Sequence, residues 1–140
     1  MSRIFWDTNQ YVYLFEGLPQ FAIPTKALRE RMIERKDELI TSTMTLAEVQ
    51  VKALRQGNIS LAHSFRDAIR NSSRVVAFDE AAADIYALLR GNPAIKPADA
   101  IQLACAAAVG VELFITNDTD LQRLTVPGIH FICSVERAPI

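Results

Sequence analysis

Glycine is scarce in this chain. The five present among 140 residues form neither the Gly-x-Gly-x-x-Gly of a dinucleotide site nor a glycine-rich phosphate loop, so both readings fall away. Cysteine is scarcer still. Cys105 and Cys133 lie in apolar surroundings without Cys-x-x-Cys spacing, and with two separated histidines, His63 and His130, they offer no zinc set. They are expected to be reduced core residues of a cytoplasmic protein rather than a disulfide. No apolar run approaches the length of a bilayer span, and the N-terminus has no signal-peptide pattern, so no membrane partner is expected. A dominant charge is lacking too: 15 Lys and Arg against 16 Asp and Glu give a formal net charge of -1. That balance makes no electrostatic case for nucleic acid, although cations held in an acidic site would reverse the local sign.

What is present is a well-mixed, half-hydrophobic chain with 22% charged residues and no repeat, linker or low-complexity tract. It reads as a single domain over residues 1-140 with a real core. Apolar runs at Ile4-Trp6, Leu39-Ser42, Arg74-Phe78, Leu113-Thr116 and Ile129-Ile132 read as strands. Helices are expected from Thr8 or Asn9, as the cap, to Glu16, with Gly17 and Pro19 as the stop, and from Thr25, after Pro24, to about Glu38. Further helices are expected over Thr43-Gln56, Ser60-Asn71 and Asp79-Arg90, then from Pro97 to Val109, with a short one after Asp120. The Pro97 helix is apolar nearly all round and should be buried. Alternating strands and helices predict a three-layer α/β/α domain with a mostly parallel sheet of about five strands.

Carboxylates gather at the boundaries of these elements. Asp7 ends the first strand, where a buried apolar run gains nothing from stopping in a charge. Glu48 falls in the first turn after the second strand, Asp99 in the first turn of the buried helix, and Asp118 and Asp120 after the fourth strand. Acids at adjacent strand ends, about 4.8 Å apart, can ligate one or two hard cations, for which carboxylates suit Mg²⁺ or Mn²⁺. Each also has a plainer use. Thr45-x-x-Glu48 fits a capping box, Asp99 complements its helix N-terminus, and Asp118 and Asp120 fit a turn. Asp79 follows a strand as well, so spacing alone does not separate it from the others. The residues by themselves lead to an acidic, metal-binding crevice.

Four stretches carry a more specific resemblance: Trp6-Asp7-Thr8-Asn9, Ser42-Thr43-Met44-Thr45-Leu46-Ala47-Glu48-Val49, Pro97-Ala98-Asp99-Ala100-Ile101-Gln102-Leu103-Ala104 and Phe114-Ile115-Thr116-Asn117-Asp118-Thr119-Asp120-Leu121. In this order and spacing the chain resembles a PIN-domain nuclease of the VapC toxin type over essentially its whole length. The resemblance implies a Mg²⁺- or Mn²⁺-dependent ribonuclease, the toxin of a toxin–antitoxin pair. Asp7, Glu48, Asp99 and Asp118 would be its catalytic, metal-holding quartet and Asp120 an extra acid. Thr8, Asn9, Thr116 and Asn117 would support the site, Asn9 standing where many relatives carry a small hydroxyl residue. Asp79 matches no site position of the family. RNA as substrate, a cognate antitoxin and a homodimer are the implied partners. The readings set beside it are a PIN nuclease of RNA processing, a receiver-like signalling module and a silent binding module; no lysine follows a late strand where a receiver would need one.

For substrate grip, Lys52, Arg55, Arg66, Arg70 and Arg74 could border the crevice, though basic residues on helices usually only solubilise. No interleaving of aromatic and basic residues along the chain marks a single-strand stacking platform. Tyr11, Leu14, Phe15, Leu18, Phe21 and Ile23 make an apolar surface that core packing mostly explains, with part of it open to an antitoxin or a second copy.

Overall fold

Ile4, Phe5 and Trp6 are fully buried in the first strand, β1 (Arg3–Trp6), because both of its faces are covered. The computed structural model describes all residues 1–140. β2 (Glu38–Ser42), β3 (Arg74–Val76), β4 (Val111–Ile115) and β5 (Ile129–Cys133) complete one sheet in the order β3-β2-β1-β4-β5. Every neighbouring pair is parallel, and Phe5 stands in register with Ile40 on one side and Phe114 on the other.

Seven helices cover the sheet: α1 (Thr8–Glu16), α2 (Pro19–Arg35), α3 (Thr43–Arg55), α4 (Ile59–Ser72), α5 (Glu80–Leu89), α6 (Pro97–Val109) and α7 (Thr119–Gln122). Alternation along the strands divides the core in two. Phe5, Ile40 and Phe114 pack against Leu103 and Ala104 of α6, with the Phe5 and Phe114 rings stacked at 5.0 Å. Ile4, Trp6, Leu113 and Ile115 point the other way and meet Leu28 and Met32 of α2, Val49 of α3 and Ile69 of α4. The result is the expected three-layer α/β/α architecture, with the sheet entirely parallel.

The first helix stops at Glu16 as expected, but the second differs from expectation at both ends, for identifiable reasons. Pro19 does not merely end the preceding helix. Gly17, at φ 70°, caps α1, and Pro19 then opens α2 at its first position, where a missing N–H costs nothing. α2 also runs through Pro24 instead of starting after it. Pro24 lies near the N-terminus, so one lost backbone bond is tolerated, and the Thr25 hydroxyl donates to the Phe21 carbonyl at 2.8 Å. At its other end α2 stops at Arg35. Asp37 leaves the helix to accept from the Ser2 backbone N–H at 2.6 Å and from Arg35 Nε at 2.9 Å. Both cysteines are free, as expected; Cys105 is buried but Cys133 only half so. Burial pushes the Cys105 thiol up to about 11, with Asp79 adding to the rise, so it is no nucleophile.

Gly128, just before β5, lies hard against the end of α6. It sits at φ 98°, and a Cβ there would lie 2.5 Å from the Ala107 carbonyl oxygen. Gly128→Ala should therefore lower stability by more than the roughly 1–3 kcal/mol of backbone strain alone, read as a reduced urea midpoint.

Candidate active site

A parallel sheet brings all its carboxyl ends to one edge, and the strand order then decides where a crevice opens. The chain passes from β1 to β2 on one side, and β4 lies on β1's other side, so the order reverses beside the end of β1. Asp7 sits there. α3 leaves the same edge from β2 and carries Glu48. α6 returns toward β4 and so presents its first turn, with Asp99, to that edge. Asp118 follows β4.

The four acids meet electrostatically. Asp7 is raised from 3.8 to about 6, chiefly by burial and further by the negative charges of Asp99 and Glu48, against the lowering effect of hydrogen bonds from Thr116 and Thr8. Asp99 is raised too, by burial first and then by Asp118 and Glu48, with Lys96 opposing. No three of the carboxylates close on a common point. Asp120 is exposed, and neither Asp7 nor Asp99 is perturbed by it.

Hydroxyl and amide groups hold these acids in place. Asp7 Oδ1 accepts from the Thr8 backbone N–H at 2.8 Å and Oδ2 from the Thr116 hydroxyl at 2.9 Å. Asp7 is thus itself the cap of α1, in place of the expected Thr8 or Asn9. The Thr8 hydroxyl instead donates to Glu48 Oε1 at 2.8 Å. This overturns the capping box: Ser42 caps α3 through the Met44 N–H, Thr45 is buried, and Glu48 lies in the second turn bound to Thr8. Asp118 caps α7 through the Asp120 and Leu121 N–H groups, and its own N–H donates to the Thr116 hydroxyl at 3.1 Å. Asn117 Nδ2 donates to the Tyr13 hydroxyl at 3.1 Å, and Asn9 is exposed. Asp79 proves to be a helix cap, its carboxylate accepting from the Ala82 N–H at 2.9 Å.

One contributor had no signal in the apolar pattern of its helix. Gln102 of α6 is buried beneath the crevice, its amide donating to the hydroxyls of Thr8 at 3.0 Å and Thr45 at 2.8 Å while its carbonyl accepts from Ser42. Thr41 adds a donor to Thr45 at 2.8 Å. The helix looked apolar, yet its one buried amide joins three strand-end and helix-start hydroxyls.

The basic candidates are mostly spoken for. Lys52 pairs with Glu16, Arg66 with Asp67 and Arg74 with Glu38, while Arg55 and Arg70 are exposed on α3 and α4. Beside Glu48 lies an apolar groove of about 290 Å³ between α1, α3 and α4, walled by Phe15, Val49, Leu61 and Phe65.

The class is therefore a five-stranded parallel α/β/α domain with carboxylates gathered at its switch point, where open sheets of this kind bind their ligands. The sequence matches the PIN domain family over residues 4–127, and the chain belongs to that family. The match removes the receiver-like reading. Among solved structures, a chain of VapBC2 from Rickettsia felis, bound to a promoter DNA fragment, is 19% identical at TM-score 0.74, covering 94% of this chain and 97% of that one. DNA-bound VapBC from Salmonella typhimurium is similar at 21% identity and TM-score 0.74, with 96% and 99% covered. VapBC-5 from Mycobacterium tuberculosis, described as a toxin–antitoxin system, matches at 21% and 0.64, again with 96% and 99% covered. At these identities the likeness is one of fold. Among curated proteins the sequence has no significant match. No helix is long and apolar enough to cross a membrane.

Proposed function

We propose that this PIN-domain protein is a metal-dependent endoribonuclease and the toxin of a toxin–antitoxin pair. The observation that carries the reading is the gathering of Asp7, Glu48, Asp99 and Asp118 at one sheet edge, where burial and the charges of the neighbouring acids raise Asp7 and Asp99 at a cost that a purely structural role does not require. The donor set is all oxygen, which fits Mg²⁺ or Mn²⁺, and the four acids would hold it, with Asp120 an outer extra. When bound, the cation offsets the acids' charge and polarises the phosphodiester under attack.

The protein's own groups have separable duties. Thr8 and Thr116 fix both oxygens of Asp7, and Thr8 also fixes one oxygen of Glu48, so the two acids keep a set orientation. Asp118 is held at the mouth by its own helix cap.

The antitoxin reading is supported by the likeness to VapBC-5, itself a toxin–antitoxin system, and by the apolar groove beside Glu48, which suits an apolar peptide segment of a partner. A second copy of the domain is the other expected partner.

Incubation with total RNA tests the activity. Wild type with Mn²⁺ should degrade RNA, a chelator should stop it, and Asp99→Asn should slow cleavage by about a thousandfold while leaving the circular dichroism spectrum unchanged. Cleavage that persists in Asp99→Asn would remove the quartet from the reaction.

A further inference from the structure

A second, polar cleft of about 650 Å³ opens on the far side of the Asn117–Asp118 loop, between the start of α2, α7 and the residues after β5. Its wall includes Phe21, Asn117, Gln122, Arg123, Glu136 and Arg137. Neither Arg123 nor Arg137 has a carboxylate partner, although five other basic residues of the chain do. With Glu136 also in the wall, the cleft carries a net positive charge beside an acidic site.

The aromatic component comes from two helices. Phe21 stacks on Tyr13 with ring centroids 4.6 Å apart and planes 18° from parallel, and Phe21 remains 37% exposed. The Tyr13 hydroxyl accepts from Asn117 at 3.1 Å, and Gln122 donates to the Thr116 carbonyl at 2.9 Å. The stack is therefore tied to the loop that carries Asp118. Aromatic and basic residues do not alternate along the chain, but the fold brings them together from its two ends.

We propose that this cleft is a binding subsite for single-stranded RNA flanking the scissile phosphate, with Arg123 and Arg137 on two backbone phosphates and a base stacked on Phe21. The proposal rests on the nuclease reading for its placement. An aromatic face with free guanidinium groups spaced along a cleft is the arrangement that takes unpaired nucleotides without needing a base sequence. An acidic peptide would use the arginines but leave the stacked, rigidly tied ring without a role.

The test is the affinity for a fluorescein-labelled, random-sequence single-stranded RNA of about 12 nucleotides, measured by anisotropy in the Asp99→Asn background with Mn²⁺. Arg123→Ala/Arg137→Ala should weaken binding at least about tenfold and flatten the salt dependence by about 1.4, from roughly 0.7 for each phosphate no longer neutralised. Phe21→Ala should weaken binding, and Phe21→Tyr should restore it. Lys26→Ala/Lys36→Gln, an equal charge change at two exposed residues outside the cleft, should not weaken it. The side chains of Arg123 and Arg137 make no internal bonds, so the fold is not at stake in their variant. A parallel digestion of total RNA by the otherwise wild-type protein keeps the two readings apart. If RNA stays intact while the cleft variants still lose affinity, the nuclease reading falls and the cleft stands as a single-stranded RNA site without a scissile phosphate beside it. If RNA is cut but the arginine variant binds as tightly as its parent, or the parent does not bind the oligonucleotide, the subsite is overturned.

Discussion

Asp7→Asn should abolish metal-dependent RNA cleavage and yet make the metal-free protein more stable near neutral pH. Asp7 is raised from 3.8 to about 6, with burial the largest cause. Between those values the folded chain keeps a proton that the unfolded chain has released. The stabilisation is therefore fully present below about 3.8 and is lost as pH rises through about 6. By pH 7 the ionised Asp7 costs the fold at most about 3 kcal/mol, which asparagine does not incur. Asparagine can still accept from the Thr8 N–H, and the Thr116 hydroxyl can turn to meet its amide, so the variant keeps the local bonds. Thermal melts with a chelator should show the variant's advantage growing from about pH 4 to pH 7. Asp99, raised in the same direction, stays in both proteins and does not create the difference. Mn²⁺ should raise the wild-type midpoint and leave the variant's nearly unmoved. A pH-independent gap between the two melts would show that Asp7 is not the strained acid of the site.

That trade between stability and charge explains why Asp7 was legible from the sequence. A strand buried on both faces that stops in a carboxylate breaks the rule for apolar runs, and such breaks concentrate where chemistry happens. Glu48, Asp99 and Asp118 were legible more weakly, because helix starts use acids for ordinary capping. Only the strand order, which local pattern does not state, brings them to one edge. The misplaced caps and boundaries have the same origin. Thr45-x-x-Glu48 satisfies the local capping rule, but Ser42 was available as the cap, and burial turned Thr45 inward to Thr41 and Gln102. Pro24 reads locally as a break, yet tertiary packing of Leu28 and Met32 carries α2 through it. The Phe21 stack and the free arginines were invisible because their neighbours are distant in the chain.

Gln102→Leu is expected to lose both stability and metal affinity, and the second loss marks Gln102 as a positioning residue. The amide is fully buried and serves the hydroxyls of Thr8, Thr45 and Ser42. Leucine fills nearly the same space but answers none of them. Thr8 can still donate to Glu48, Thr45 still accepts from Thr41 and Ser42 still accepts from the Met44 N–H, so the Ser42 hydroxyl proton is the one buried donor left without an acceptor, with the other groups partly served. At about 1–3 kcal/mol for an unsatisfied buried group, a total cost of about 2–4 kcal/mol follows, read as a lower urea midpoint with an unchanged slope. The consequence for the site runs through Thr8, whose hydroxyl would no longer be held from below while it holds Glu48. Loss of such an outer partner typically costs about 10–100-fold in metal affinity or activity, so the Mn²⁺ concentration for half-maximal cleavage should rise by about tenfold. A purely structural role predicts otherwise. At a temperature where both proteins remain folded, a leucine that only weakened the core would lower the midpoint and leave the Mn²⁺ requirement where it was.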